Sequence, residues 1–206
     1  MNRSRGFWNL LAKNYAKRPV DNPDAYAKKL SITQALLKPD MEVFEYGCGS
    51  GTTALKHAPH VTHIQAIDYS PKMIEIACAK AKDADINNVS FEISTLANWQ
   101  AQDASYDMIQ AHSVLHLLPD LDAALARTRD LIKPGGVFVS STVCAREETF
   151  WTRALLPIGG TMRILPYIAM FDGAQLIDAI EVAGFEVEQQ WRPREKGSIF
   201  IVARAV

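Results

Sequence analysis

Apolar residues in this chain switch repeatedly between a spacing of two and a spacing of about 3.6, the periods of a half-buried strand and an amphipathic helix. Strand-like runs fall near 41–46, 62–67, 89–93, 106–111 and 136–143, and helical spacing at about 52–58, 71–83 and 120–132. Ser70-Pro71 and Pro119-Asp120 open two of these helices, where a proline loses no helical hydrogen bond, and Pro134-Gly135-Gly136 closes the last. Such alternation builds a mostly parallel α/β sheet with helices on both faces. A further helix at 173–183 stops at Gly184, and the runs FEVEQQW and SIFIVAR after it can pair as a hairpin, ending the sheet with one antiparallel strand.

Residues 144–171 do not fit the alternation: they hold Trp151, Arg153, Arg163, Tyr167 and the run ILPYIAMF. An insertion of this kind within one domain reads as a lid or an interface. The expected organisation is one domain over 1–206, with an N-terminal helical cap at about 1–38 and a lid at about 144–171.

Charge narrows the partners. The net charge of -1 supplies no general field for a phosphate backbone, so nucleic acid is an unlikely partner. Arg3, Arg5, Lys13, Lys17 and Arg18 nevertheless give the first 18 residues +5, interleaved with Phe7, Trp8, Leu10, Leu11 and Tyr15 at near-helical spacing. A short amphipathic helix docked on the domain is the favoured reading of that stretch, ahead of an organelle-targeting or membrane-surface helix. No apolar run has the ~18 residues a spanning helix needs, so no membrane span is expected. Three scattered cysteines, Cys48, Cys78 and Cys144, suit reduced thiols in a cytoplasmic setting.

The first strand-to-helix turn carries VFEYGCGSG. In an open parallel sheet that turn supplies close backbone to a ligand at the carboxyl ends of the strands. Its glycines, Gly47, Gly49 and Gly51, are spaced GxGxG, whereas the dinucleotide fingerprint needs GxGxxG, and no Gly-Lys-Ser/Thr of a phosphate loop follows. Asp68 ends the second strand, IQAID, 21 residues after Gly47, where a carboxylate accepts from both hydroxyls of a ribose. Glu45 puts an acid where a pyrophosphate would otherwise sit, which repels that anion and suits a ligand with an ammonium and a sulfonium. Those three features together point to S-adenosylmethionine.

EYGCGSG, the acid of AIDYSPKMIEIA, YDMIQAHSVLHLLPD and LIKPGGVFV together resemble the class I S-adenosylmethionine-dependent methyltransferases, in the branch acting on small molecules; the likeness covers about residues 40–143. It implies a Rossmann-like three-layer sandwich whose seven strands run 3-2-1-4-5-7-6, with strand 7 antiparallel. By the same resemblance Glu45, Gly47, Cys48 and Gly49 surround the methionine part of the cofactor, Asp68 holds the ribose, and Tyr69 and Met73 flank adenine. Ala111 and His112 close over the cofactor. Apart from the resemblance, Tyr15 and Tyr26 of the N-terminal segment are read as rings that fold over the cofactor. One departure concerns adenine: Ser94-Thr95-Leu96 stands where many relatives have an acid, leaving the Thr95 hydroxyl and the Leu96 N–H for the contact.

Methyl transfer from a sulfonium is an in-line displacement, so proximity in a dry site carries much of it, and a base is needed only where the acceptor must lose a proton. His116, in SVLHLLPD, is the candidate catalytic base; its other reading is a histidine that only shapes the pocket. His57, His60 and His63 have tempting three-residue spacing, but Pro59 breaks any shared helical face, and no metal site is expected. The expected function is methyl transfer to a small molecule at O, N or C, leaving S-adenosylhomocysteine as product. A non-catalytic S-adenosylmethionine-binding module is the alternative, and a nucleic-acid methyltransferase a weaker one, since QAHSV replaces an Asn/Asp-Pro-Pro-aromatic run after strand 4. Neither the acceptor nor the oligomeric state can be read from the sequence.

Overall fold

The computed structural model describes residues 3–147, 167–194 and 197–206. The apolar run VF places β1 (Glu42–Tyr46) at the centre of the sheet, with β2 (His63–Asp68) and β4 (Tyr106–His112) parallel on either side. Beyond these lie β3 (Val89–Ile93) and β5 (Ile132–Val143), and the hairpin of β6 (Phe185–Trp191) and β7 (Ser198–Ala205) completes the order β3-β2-β1-β4-β5-β7-β6. β7 runs antiparallel to both neighbours. This is the Rossmann-like topology expected.

Helix starts follow the cap residues. α1 (Arg3–Lys17) and α2 (Pro23–Gln34) precede the sheet, and the Asn22 side chain caps α2. α3 is Thr52–His57; α4 (Pro71–Asp83) is capped by Ser70, and α5 (Leu121–Leu131) by Asp120. α6 (Gly173–Val182) opens on a capping box between Asp172 and Gln175. One boundary differs from expectation: α5 stops at Leu131 and β5 begins at Ile132, four residues early. Pro134 excludes helical backbone just before it, so the chain extends at once. The Pro-Gly-Gly run then becomes an irregularity within the strand, where register passes from Tyr106↔Ile132 to Met108↔Val137.

Two apolar layers enclose the sheet. Phe44, Ile109, Phe138, Ile199 and Ile201 pack under α5 and α6 through Leu125, Leu131, Leu176 and Ile180. Val43, Ile64, Ala66, Met108 and Val139 face α3 and α4 through Ala54 and Ile74. Alternation then assigns the strand ends. Glu45, Asp68, Gln110, His112 and Ser141 all follow the parity of the second layer, and Glu45↔Gln110 and His112↔Ser141 are register partners. The carboxyl end of that face is therefore polar.

α1 is docked on α4, in keeping with the favoured reading of the basic stretch. Asn9 Oδ1 accepts from Ser70 Oγ at 2.7 Å, Ala12 is fully buried, and the Trp8 and Tyr15 rings meet edge to face at 5.8 Å. No helix among the described residues is long and apolar enough to cross a membrane. Most of the expected lid, including Trp151, Arg153 and Arg163, lies outside the described residues.

Candidate active site

The turn from β1 into α3 holds its three glycines at positive φ: Gly47 at 66°, Gly49 at 53° and Gly51 at 72°. They are glycines for different reasons. A Cβ on Gly47 would come within 2.5 Å of Val114, and one on Gly51 within 2.7 Å of Phe91 and 2.8 Å of Ala77, so these two let the loop pack. A Cβ on Gly49 would meet only the Tyr15 ring, at 3.9 Å. Gly47 and Gly49 both line a cavity of about 710 Å³, and at Gly49 the missing side chain leaves room there for a ligand close to the main chain.

Asp68 fastens this loop. Its Oδ2 accepts from the Gly49 N–H at 3.0 Å and its Oδ1 from the Ser70 N–H at 2.8 Å. Burial raises its pKa, and the two amides work against that rise. Each oxygen keeps a lone pair, so a ribose hydroxyl can still be received. Lys80 Nζ ties the far side by donating to Ser50 Oγ and Thr52 Oγ1, both at 2.9 Å.

Glu45 stands in the cavity wall, 2% exposed, with Oε2 buried and without a partner. Burial and then the charge of Asp68 push its pKa up to about 8, so the carboxyl is mostly protonated at neutral pH. Next to it Gln110 Oε1 accepts from both His57 Nδ1 at 3.0 Å and His112 Nε2 at 3.1 Å, while Gln110 Nε2 is turned to Met108 Sδ. That amide orientation assigns the tautomers: His57 carries its proton on Nδ1 and His112 on Nε2. Burial lowers the pKa of His57 to about 4 and of His112 to about 3, so both rings are neutral. Above them α2 turns Ala25, Tyr26, Lys29, Leu30 and Thr33 into the cavity at helical spacing. Lys29 Nζ donates to Ser141 Oγ at 2.6 Å, and the Tyr26 hydroxyl shares a hydrogen bond with Thr53 Oγ1 at 3.4 Å.

A glycine cradle and an unpartnered carboxyl at the end of β1 thus meet at one cavity, with an acid at the end of β2 anchoring the cradle from behind. A family model described as "Methyltransferase domain" matches residues 37–164, more than half of the chain. The chain belongs to the class I S-adenosylmethionine-dependent methyltransferases. Its relatives include the uncharacterized methyltransferase YcgJ of Bacillus subtilis (strain 168), 28% identical over 119 residues, or 58% of this chain. This chain spans about half, 47%, of that protein's length. The ubiquinone biosynthesis O-methyltransferase of Xanthomonas axonopodis pv. citri (strain 306) is 26% identical over 184 residues, covering 82% of this chain and 75% of that one. The crystal structure of YcgJ superposes with a TM-score of 0.72 at 15% identity, over 87% of this chain and 98% of that one. Geranyl diphosphate C-methyltransferase from Streptomyces coelicolor A3(2), solved with Mg2+, geranyl-S-thiolodiphosphate and S-adenosyl-L-homocysteine, gives 0.74 at 13% identity, over 89% and 76%. At such identities the two structures speak for the fold.

The site residues expected of this methyltransferase divide in two. Tyr15, Glu45, Gly47, Cys48, Gly49 and His112 line the cavity. Asp68 stands behind the loop that it anchors, with Tyr69 beside it, the Tyr69 phenol pushed up to about 12 by burial and by that carboxylate. Met73 is buried in the first turn of α4. Leu96 and Ala111 send their side chains into the layer under α5 and α6, which leaves only main-chain groups to offer a ligand. The Thr95 hydroxyl accepts from the Asn98 N–H at 3.3 Å as the cap of a short turn, so its acceptor capacity is partly used.

His116 is not in the cavity wall. It is 9% exposed on the turn Leu115–Leu117, its Nδ1 is buried and unpartnered, and burial lowers its pKa to about 4. Burial therefore favours the neutral imidazole there. The three spaced histidines diverge: His57 turns to Gln110, while His63 Nδ1 meets Glu42 at 3.3 Å and His60 is exposed. Sequence reasoning missed Lys29, Gln110 and Ser141, and saw His57 only as a metal candidate. The inward ridge of α2 could have been found from the spacing of Ala25, Lys29 and Thr33, but nothing local pairs Lys29 with a residue 112 positions away.

Proposed function

We propose that this chain transfers the methyl group of S-adenosylmethionine to a small organic acceptor bound in the same cavity. The observation that carries the reading is the junction of Gly49 and Glu45: backbone opened to a ligand beside a buried carboxyl whose Oε2 lacks a partner. When bound, S-adenosylmethionine supplies an electrophilic methyl group on a sulfonium. Glu45 would answer the positive charge of its methionine end, ionising as it does so, and Asp68 would receive the ribose while holding the loop against Gly49. Tyr15 would cover the cofactor from above. Tyr69, Met73, Thr95 and the main chain of Leu96 would take the adenine end, with Cys48, Gly47, Ala111 and His112 closing the rest.

The acceptor is then held between α2 and the ends of β4 and β5. Proximity and exclusion of water carry the displacement, because every imidazole at this end of the sheet is held neutral with a low pKa and is a weak base. The relatives named as acting on small molecules support this class of acceptor, and a net charge of -1 favours it over nucleic acid. Calorimetry with S-adenosylmethionine and S-adenosylhomocysteine, followed by a labelled-methyl screen of metabolites, tests the reading. Micromolar binding with turnover of at least one small acceptor is expected. Binding with no acceptor would mark a cofactor-binding module instead, and failure to bind either compound would defeat both readings.

A further inference from the structure

Lys29 is out of place for a structural lysine. It is half-buried on the inward ridge of α2, burial lowers its pKa, and its polar contact is one hydroxyl, Ser141 Oγ at 2.6 Å. Among the described residues no carboxylate lies within ion-pair distance of it. Among the described residues the cavity wall holds two carboxyl groups, and neither balances this charge: Asp21 is engaged by Arg18 at 2.9 Å, and Glu45 is held mostly protonated. The neighbouring rings of His57 and His112 are neutral, so they offer no counter-charge either. Arg194, also in the wall, adds a further cation. A partly desolvated ammonium beside hydroxyls in a cavity is costly without an anion and well made for one.

We propose that Lys29, set by Ser141, is the specificity-determining residue of the acceptor pocket, and that it selects acceptors carrying an anionic oxygen group, a carboxylate or a phosphate. The proposal rests on the methyltransferase reading. It extends it to a substrate class, since Ser141 is the register partner of His112 and lies at the end of β5, away from the glycine loop. Ser141 Oγ accepts the Lys29 proton and leaves its own hydroxyl hydrogen to donate, so ammonium and hydroxyl form a two-donor clamp for one anionic oxygen.

The test uses the full chain saturated with S-adenosylhomocysteine and titrated calorimetrically at pH 7 with benzoate, phenyl phosphate and benzyl alcohol. At least one anion should bind at least tenfold more tightly than the neutral alcohol, and which one does so distinguishes carboxylate from phosphate. Lys29→Gln should abolish that preference, Lys29→Arg should keep it, and both should bind S-adenosylhomocysteine within about twofold of the parent. Equal binding of the alcohol and both anions by the parent protein would overturn the proposal. So would a preference that survives Lys29→Gln, or a loss of S-adenosylhomocysteine binding in both variants, which would assign Lys29 to the cofactor. Failure of the parent protein to bind S-adenosylhomocysteine at all is a separate result, and it defeats the methyltransferase reading itself.

Discussion

At their carboxyl ends the central strands present Tyr46, Ile67, Ala111 and Ser140 to one side of the sheet and Glu45, Asp68, Gln110, His112 and Ser141 to the other. The first set is foundation: Ile67 and Ala111 belong to the layer under α5 and α6, and the Tyr46 hydroxyl meets Thr128 Oγ1 at 3.2 Å. The second set carries two carboxyls, an imidazole, an amide and a hydroxyl in a largely buried setting. A shift of one residue thus separates packing from chemistry, because successive side chains of a strand alternate between faces. Both sides bury unpartnered polar atoms, Ser140 Oγ on the first and Glu45 Oε2 on the second; what differs is that the second side sets a carboxyl at a cavity.

The largest test of that division lies in the loop feeding it. Gly49→Val should reduce S-adenosylhomocysteine affinity by at least about 100-fold, since a branched residue at φ 53° is strained and its side chain enters the ligand space. Gly51→Val should instead lower the melting temperature, because its side chain collides with Phe91 and Ala77 in the protein itself. Calorimetry and thermal melts on both variants separate a ligand glycine from a packing glycine. Normal binding by the Gly49 variant would reduce the loop to a turn.

Asp68→Ala should weaken cofactor binding by more than tenfold, with contributions of about 1.5–3 kcal/mol from each charged hydrogen bond lost. Part of that loss belongs to the loop, since the carboxylate also holds the Gly49 and Ser70 amides. A loop contribution alone would weaken adenosine and S-adenosylhomocysteine unequally, so affinities for both ligands should be measured. An unchanged affinity for each would remove Asp68 from the site.

Glu45 and the histidines sharpen the comparison through pH. Glu45 has its folded pKa raised from 4.5 to about 8, so the folded state holds a proton that the unfolded state has lost, and stability falls as pH rises through that window. His57, His112 and His116 have theirs lowered from 6.5 to about 4, 3 and 4, so stability falls as pH drops below 6.5. Below 6.5 three groups outweigh one. The ligand-free protein should therefore melt highest near pH 6.5, losing up to about 1.4 kcal/mol per pH unit on the alkaline side from one proton. Glu45→Gln should flatten that alkaline decline up to pH 8 and leave the acid limb. A decline that persists in the variant would place the raised pKa elsewhere.

The strands and helices were legible in the sequence because each is a local period bounded by a local signal, as in Ser70-Pro71 for α4 and Gly184 after α6. Gly49, Asp68 and Glu45 were legible for a related reason: all lie within one strand-turn-helix unit and its neighbour. Lys29–Ser141 and the His57–Gln110–His112 chain were not, since each joins elements far apart in sequence through side chains of unremarkable type. Gln110 in particular looks like any polar residue in a strand until the register with Glu45 is known. β5 was misjudged at its start because proline and glycine signal a stop to the helix without saying whether a loop or a strand follows.

The smallest effect is expected at His116, which the division places on the foundation side. Leu115 beside it belongs to the layer under α5 and α6, and the His116 carbonyl accepts from the Ala169 N–H at 2.8 Å. A general base must reach the acceptor proton, and a pKa of about 4 makes a poor match to that task near neutral pH. His116→Gln keeps much of the size and a hydrogen-bonding group while removing the titration, so turnover should fall by less than about tenfold, with cofactor affinity unchanged. The pH profile supplies the decisive readout. If His116 serves as the base, the parent enzyme will lose activity along a limb near pH 4 and the variant will lose both that limb and roughly 10²-fold or more in rate. A small loss with the profile intact leaves the reaction to proximity and desolvation, and keeps the imidazole among the residues that only support the wall.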